Sequence, residues 1–212
     1  MPAFFGIALG LCVFLPALCA QPAGPAATRT ILFLGDSLTA GLGVQKAEAF
    51  PALIAEKIRT AGLPFSIEDA GLSGDTSAGG LRRIDWLLQR PVDVLVLELG
   101  ANDGLRGQEL KSVKANLQAI IDKTKAKNPQ VKIVVAGMQV PPNLGPEYAR
   151  GFERLFAELA KENNAALIPF LLEGVGGNRD LNQQDLIHPS AAGHRIIAEL
   201  VWRTLEPILR QP

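Results

Sequence analysis

The 212-residue chain is 48% hydrophobic and 20% charged, with Lys plus Arg equal to Asp plus Glu at 21 each. A length of this order suits one domain whose core needs no disulfide or metal support. With no net charge there is no general electrostatic pull toward nucleic acid or an anionic membrane surface, and neither is expected as a partner.

Residues 1–20 contain no charged side chain, and an apolar run from Phe4 ends at Pro16 and a small-residue stretch. That layout reads as a cleaved secretory signal peptide, with the cut after Ala20, and implies a periplasmic or secreted protein. A membrane anchor is the competing reading; Pro16 interrupts the run, and the stretch is barely the ~20 residues a spanning helix needs. Both cysteines, Cys12 and Cys19, lie in this segment, so the mature chain is expected to have no disulfide and no cysteine metal site. Residues 21–29 are rich in Pro, Ala and Gly and read as a linker, leaving one domain over 30–212.

From residue 30, short apolar runs alternate with longer amphipathic ones. Strands are predicted at 31–34, 65–68, 92–97, 131–136 and 166–168. The segments 50–61, 81–88, 109–127, 146–162 and 190–209 space their apolar residues at three and four, the helical period. Alternation of this kind argues for an α/β protein with a five-stranded parallel sheet covered by helices on both faces. The run Val94-Leu95-Val96-Leu97 suits a strand buried on both sides. Sites in such sheets gather beyond the carboxyl ends of the strands.

The unusual residues fall at those ends. Gly35-Asp36-Ser37-Leu38 follows the first strand and puts a serine at a tight strand-to-helix turn. A glycine-dense loop, Gly71 to Gly80, follows the second strand, and Gly100-Ala101-Asn102-Asp103-Gly104 follows the third. Asp185-Leu186-Ile187-His188-Pro189 precedes the last helix, with Pro189 suited to a helix start. A serine hydroxyl needs a base within hydrogen-bond reach, and that base needs a partner that fixes its tautomer. Ser37, His188 and Asp185 are the candidates for nucleophile, base and orienter. His194, the other histidine, falls inside the last helix and reads as a packing residue. The backbone amides of Ser37 and Gly74 and the side-chain amide of Asn102 are the candidate oxyanion donors. Taken singly, each block also has a bland reading as a local turn; their joint placement at strand ends favours the catalytic one.

At these residues the chain resembles the SGNH, or GDSL, hydrolases, and in particular their small bacterial thioesterase, protease, lysophospholipase and arylesterase branch. The likeness runs from about Ile31 to Leu200. It is carried by the four blocks above and by Ser73-Gly74-Asp75-Thr76-Ser77, by the string from Glu98 to Gly107, and by Pro141-Pro142-Asn143. The resemblance implies a three-layer α/β/α sandwich with a flavodoxin-like sheet. It also implies Ser37 as nucleophile, Ser37, Gly74 and Asn102 as oxyanion donors, and Asp185 and His188 as the remaining catalytic pair. Asp69 stands where the family often has asparagine, a change that touches no catalytic position. No Gly-x-Ser-x-Gly elbow is present, which argues against an α/β-hydrolase.

The expected activity is hydrolysis of carboxylic esters or thioesters. Loops 105–110 and 138–148 are expected to wall the acyl pocket, with Leu105, Met138, Pro141, Leu144 and Tyr148 as candidate contacts. A carbohydrate acetylesterase would share the catalytic set but would be expected to carry more than the 6% aromatics present here. A non-catalytic binding module on the same sheet is the other alternative. Glu98, Asp103 and Asp75 lie near the predicted site but lack the second histidine or cysteine of a transition-metal cage, so neither metal nor organic cofactor is expected. The sequence carries no signal for oligomeric state.

Overall fold

The structure, a computed structural model, describes Met1 and residues 28–211. Apart from Met1, the predicted signal peptide lies outside the described residues, as does most of the predicted linker. The elements run β1 (Arg29–Gly35), α1 (Ser37–Ala40), α2 (Phe50–Thr60), β2 (Phe65–Gly71), α3 (Ser77–Leu87), β3 (Val94–Glu98) and α4 (Ala101–Leu105). They continue with α5 (Leu110–Lys127), β4 (Lys132–Ala136), α6 (Pro146–Asn163), β5 (Ala166–Ile168) and α7 (Ala191–Leu209). Two single 3-10 turns lie at Lys46–Glu48 and Pro142–Leu144.

All five strands are parallel, in the order β2-β1-β3-β4-β5. The chain leaves β1 toward β2 on one side and returns to β3 on the other, so the order reverses between β1 and β3. A crevice opens at such a switch point, beyond the carboxyl ends of the two strands. Right-handed crossovers then send helices to opposite faces according to the direction of travel. The packing agrees: α2 lies against α7, whereas α3 packs on α5 and α5 on α6.

The central strands are buried on both faces, with Ile31 to Leu34 and Val94 to Leu97 all within the core. Phe33 of β1 meets Phe50 of α2 edge-on at 5.7 Å between ring centres, which ties that helix to the sheet. Within α6, Phe152 and Phe156 pack edge-on at 5.2 Å, both buried in the core.

The five predicted strands all form, with differences at the ends that have physical causes. β1 begins at Arg29, one residue inside the predicted linker, because its guanidinium lies over Phe65 at 4.7 Å and beside Asp93 at 3.7 Å. β3 runs to Glu98, a charged residue that the apolar pattern left out and a polar network holds. α3 starts at Ser77, four residues before the predicted Leu81. Gly79 and Gly80 read as loop, yet Thr76 caps the helix by accepting Gly79 N–H at 3.1 Å, and a β-carbon at Gly80 would overlap Leu99. The segment read as a turn after β3 winds into α4 instead.

Candidate active site

Ser37 is the first residue of α1, so its N–H has no partner within that helix. Asp36 caps the helix, its Oδ1 accepting Leu38 N–H at 3.0 Å. The turn is this tight because Gly35 lacks a side chain: a β-carbon there would overlap the Thr39 hydroxyl and the Glu98 carboxyl. Glu98 lies beneath, fully buried, and its Oε2 accepts Asp36 N–H at 3.1 Å and the Thr39 hydroxyl at 2.6 Å.

His188 reaches Ser37 across 151 positions of sequence, with Nε2 3.0 Å from Oγ. Its Nδ1 lies 2.6 Å from Asp185 Oδ2. The other Asp185 oxygen accepts the N–H groups of Ile187 at 2.9 Å and His188 at 3.0 Å. Those bonds, with the His188 ring contributing most, hold the Asp185 carboxyl down at about 2. Asp185 is therefore ionised at neutral pH. Gln183 ties this loop to the far end of the serine turn, donating to Leu42 O at 2.6 Å and Pro189 O at 3.1 Å.

Asn102 sits on α4, across the switch-point crevice from Ser37. Its Nδ2 donates one hydrogen to Asp36 Oδ2 at 3.1 Å, which leaves the second hydrogen for another acceptor. Asp36 is itself buried, and desolvation lifts its carboxyl from the ordinary 3.8 to about 6 against the lowering pull of Leu38 N–H, Asn102 and His188. Burial, and then the neighbouring Asp36 charge, push Glu98 well above the usual carboxylate range. Its Oε1 is buried with no hydrogen-bond partner among the described residues. Gly74 lies in the loop after β2 with φ 80, and its carbonyl accepts from Arg106 at 3.4 Å, the residue that caps α4.

The other acids near the site are tied into the scaffold. Asp75 pairs with Arg83 at 2.7 Å, while Arg83 also donates to Gly35 O at 3.0 Å. Asp103 accepts from the amide of Ser77 at 2.8 Å and its hydroxyl at 2.7 Å. Asp69 accepts Gly71 N–H at 3.0 Å and pairs with Lys46 at 2.5 Å, so its acid serves a loop. Among the described residues, no three His, Cys, Asp or Glu side chains cluster to hold a metal ion. His194 accepts Phe50 N–H at 3.3 Å and stacks on the Phe50 ring, and burial lowers it to about 4.

A cavity of about 520 Å³ opens beside Ser37 and Asn102. Leu105, Met138 and Pro141, three of the predicted contacts, line it. Leu144 and Tyr148 do not: they line a separate hollow with Leu110 and Pro146. The 3-10 turn at Pro142–Leu144 carries the chain past the rim, and Tyr148 on α6 donates its hydroxyl to Gln108 O at 2.8 Å and stacks on Phe152. The remaining walls come from Val140, Phe170, Leu172 and Leu186 to His188, mostly from the long loop after β5. Sequence reasoning missed that wall, since its apolar residues follow no period; the bare length of the stretch between β5 and α7 was the available signal. It also missed Glu98 as a partner of the serine turn, although an acid closing an apolar strand demands one.

The family model described as GDSL-like Lipase/Acylhydrolase matches residues 33–196. The chain is 41% identical over 186 residues to "Esterase TesA" of Pseudomonas aeruginosa, covering 87% of this chain and 91% of that protein. It is 37% identical over 186 residues to "Thioesterase 1/protease 1/lysophospholipase L1" of Escherichia coli (strain K12), covering 87% and 86% respectively. Among solved structures, esterase EstA from Pseudoalteromonas sp., inhibited by monoethylphosphonate, superposes with a TM-score of 0.81 at 34% identity, over 86% of this chain and all of that one. A match that spans the sheet from β1 to α7 takes in every block around the Ser37 crevice, and the chain belongs to the GDSL-like lipase/acylhydrolase family.

Proposed function

We propose that this chain hydrolyses carboxylic esters and thioesters through an acyl-enzyme on Ser37. The observation that carries the reading is the unbroken line from Ser37 Oγ through His188 to Asp185 at the edge of a largely apolar cavity. The names borne by its relatives, an esterase and a thioesterase/lysophospholipase, agree with that chemistry.

His188 takes the Ser37 proton as the hydroxyl attacks the acyl carbonyl. Asp185 holds the ring with Nδ1–H toward itself and stabilises the imidazolium that forms. Negative charge gathers on the former carbonyl oxygen, where the amides of Ser37 and Gly74 and the free Asn102 hydrogen receive it. Such donors matter most in the transition state, since the ground-state carbonyl carries less charge. His188 then gives its proton to the departing alcohol or thiol. Water, activated by the same histidine, releases the acid.

The cavity favours an aliphatic acyl chain over a sugar. Phe170 is the one aromatic side chain in its lining among the described residues, and stacking on a sugar ring calls for aromatic faces. Lysophospholipids, aryl esters and medium-chain thioesters remain the substrate class. Rates measured over graded chain lengths of these three types, beside Ser37→Ala, test the assignment. The variant is expected to fold and to lose turnover by roughly 10⁴-fold or more; near-native activity would remove Ser37 as nucleophile.

The segment 1–20 supports export, with a mature protein beginning near residue 21 and acting in the periplasm or outside the cell. N-terminal sequencing of protein recovered from that fraction is expected to read from Gln21, and a chain retaining Met1 there would count against cleavage.

A further inference from the structure

The turn between Asp185 and His188 holds a leucine in a backbone conformation that leucine disfavours. Leu186 has φ 60, the left-handed region that glycine and asparagine enter far more cheaply than a bulky residue. The geometry of the turn requires it: Leu186 N–H donates to Gln183 O at 3.0 Å, and the chain doubles back so that one Asp185 oxygen receives two amides while the other meets His188. That accounts for the backbone. It does not account for the side chain.

Leu186 is 38% exposed and Ile187 47% exposed, so both add apolar surface to water. Both line the cavity beside His188. Elsewhere in the lining Met138 is 2% exposed and Val140 8%. An acyl chain gains most against those buried side chains, and the chemistry assigns the exposed pair, Leu186 and Ile187, a different part of the substrate. With the carbonyl oxygen turned toward Asn102, the leaving atom must face His188 Nε2 to receive its proton, and the group attached to that atom passes beside Leu186 and Ile187.

We propose that Leu186, with Ile187, is a specificity-determining residue that packs against an apolar leaving group, of the class of phenols and naphthols, as it departs from Ser37. The inference rests on the acyl-enzyme reading above. An exposed leucine is unfavourable in the free protein, and a leaving group that covers it offsets that exposure. The contact exists only while the alcohol is attached. It therefore acts on acylation, through kcat/KM, and is absent when water attacks the acyl-enzyme.

The test compares Leu186→Gly and Leu186→Asn, both compatible with the left-handed turn, with the parent protein. Two esters of one acid, 2-naphthyl butyrate and ethyl butyrate, keep the acyl group constant. The intrinsic reactivity of each ester cancels when variant and parent are compared. In both variants the naphthyl-to-ethyl ratio of kcat/KM is expected to fall roughly tenfold, the scale of one apolar pocket contact. Partitioning of the butyryl-enzyme between water and added methanol is expected to stay at the parent value, and the thermal midpoint is expected not to fall. Equal losses on the two esters, altered partitioning, or a lowered midpoint would each overturn the proposal, since each makes Leu186 a support of the His188 loop. If the parent protein hydrolyses neither ester and Ser37 takes no phosphonate label, the acyl-enzyme reading itself fails, a result distinct from the others.

Discussion

Replacing Asp36 by asparagine is expected to make the protein more stable and much less active. Asp36 is 1% exposed, and its carboxyl is lifted from 3.8 to about 6, chiefly by loss of solvent. At about 1.4 kcal/mol for each pH unit, keeping it ionised at pH 8 costs the folded state about 3 kcal/mol. The sign follows from the proton count. Between about pH 4 and 6 the folded protein holds a proton that the unfolded chain has released, so stability falls as pH rises through that window and levels off above it. Asparagine resembles the protonated form and escapes the penalty. The difference between variant and parent should be near zero at pH 4 and grow to about 3 kcal/mol by pH 8.

The cost appears in catalysis. Asp36 Oδ2 is the acceptor for one Asn102 hydrogen, while Oδ1 is occupied by Leu38 N–H. An asparagine that keeps the Leu38 bond presents its own N–H₂ to Asn102, donor facing donor. Asn102 relieves the clash by turning its amide over, which aims its oxygen at the site of the developing oxyanion. Loss of one such donor lowers kcat by about 10²–10³-fold with little change in KM. Urea unfolding at pH 4.5 and pH 8, beside steady-state kinetics, reads both effects. A variant with parental kcat, or a stability difference independent of pH, would refute the reasoning.

Other consequences can be measured on the same footing. Glu98→Gln keeps an acceptor for Asp36 N–H and the Thr39 hydroxyl and should alter stability by under about 1 kcal/mol, whereas Glu98→Leu strands both buried donors and should cost about 2–4 kcal/mol; equal tolerance of the two in urea unfolding would show that the serine turn needs no acceptor. His194, held near 4 by burial, binds its proton more readily in the unfolded chain, so its contribution is lost as pH falls from about 6.5 toward 4, about 3 kcal/mol in all. That slope opposes the Asp36 slope, and His194→Gln is therefore expected to become more stable as pH falls through this range while Asp36→Asn becomes less so. Parallel pH profiles for the two variants would contradict both assignments.

The strand cores were legible because parallel strands buried on both faces are written as unbroken apolar runs, as at Val94 to Leu97. The chemical residues were legible because glycine turns and short polar blocks stand out between such runs. Elements that depend on close approach were less so. The start of α3 hides behind Gly79 and Gly80, whose composition signals a loop although their function is to let Leu99 and Asp75 come near. α4 hides because Asn102, Asp103 and Gly104 are turn formers taken singly. Leu144 and Tyr148 were placed in the acyl pocket by proximity in sequence to Met138 and Pro141, and one 3-10 turn was enough to move them. Glu98 carries the plainest lesson. The sequence showed an acid near the site, but only the sheet register, with Gly35 paired to it across the strands, shows that it lies beneath the nucleophile turn.

Catalysis at this crevice requires Ser37 to be the residue that bonds to the acyl group. Folded protein treated with an ethyl phosphonate ester and digested should yield one modified peptide, phosphonylated at Ser37, and His188→Ala should slow its formation by orders of magnitude while leaving the fold intact. Full loss of esterase activity with the label on another side chain, or an unmodified Ser37 after inactivation, would contradict it.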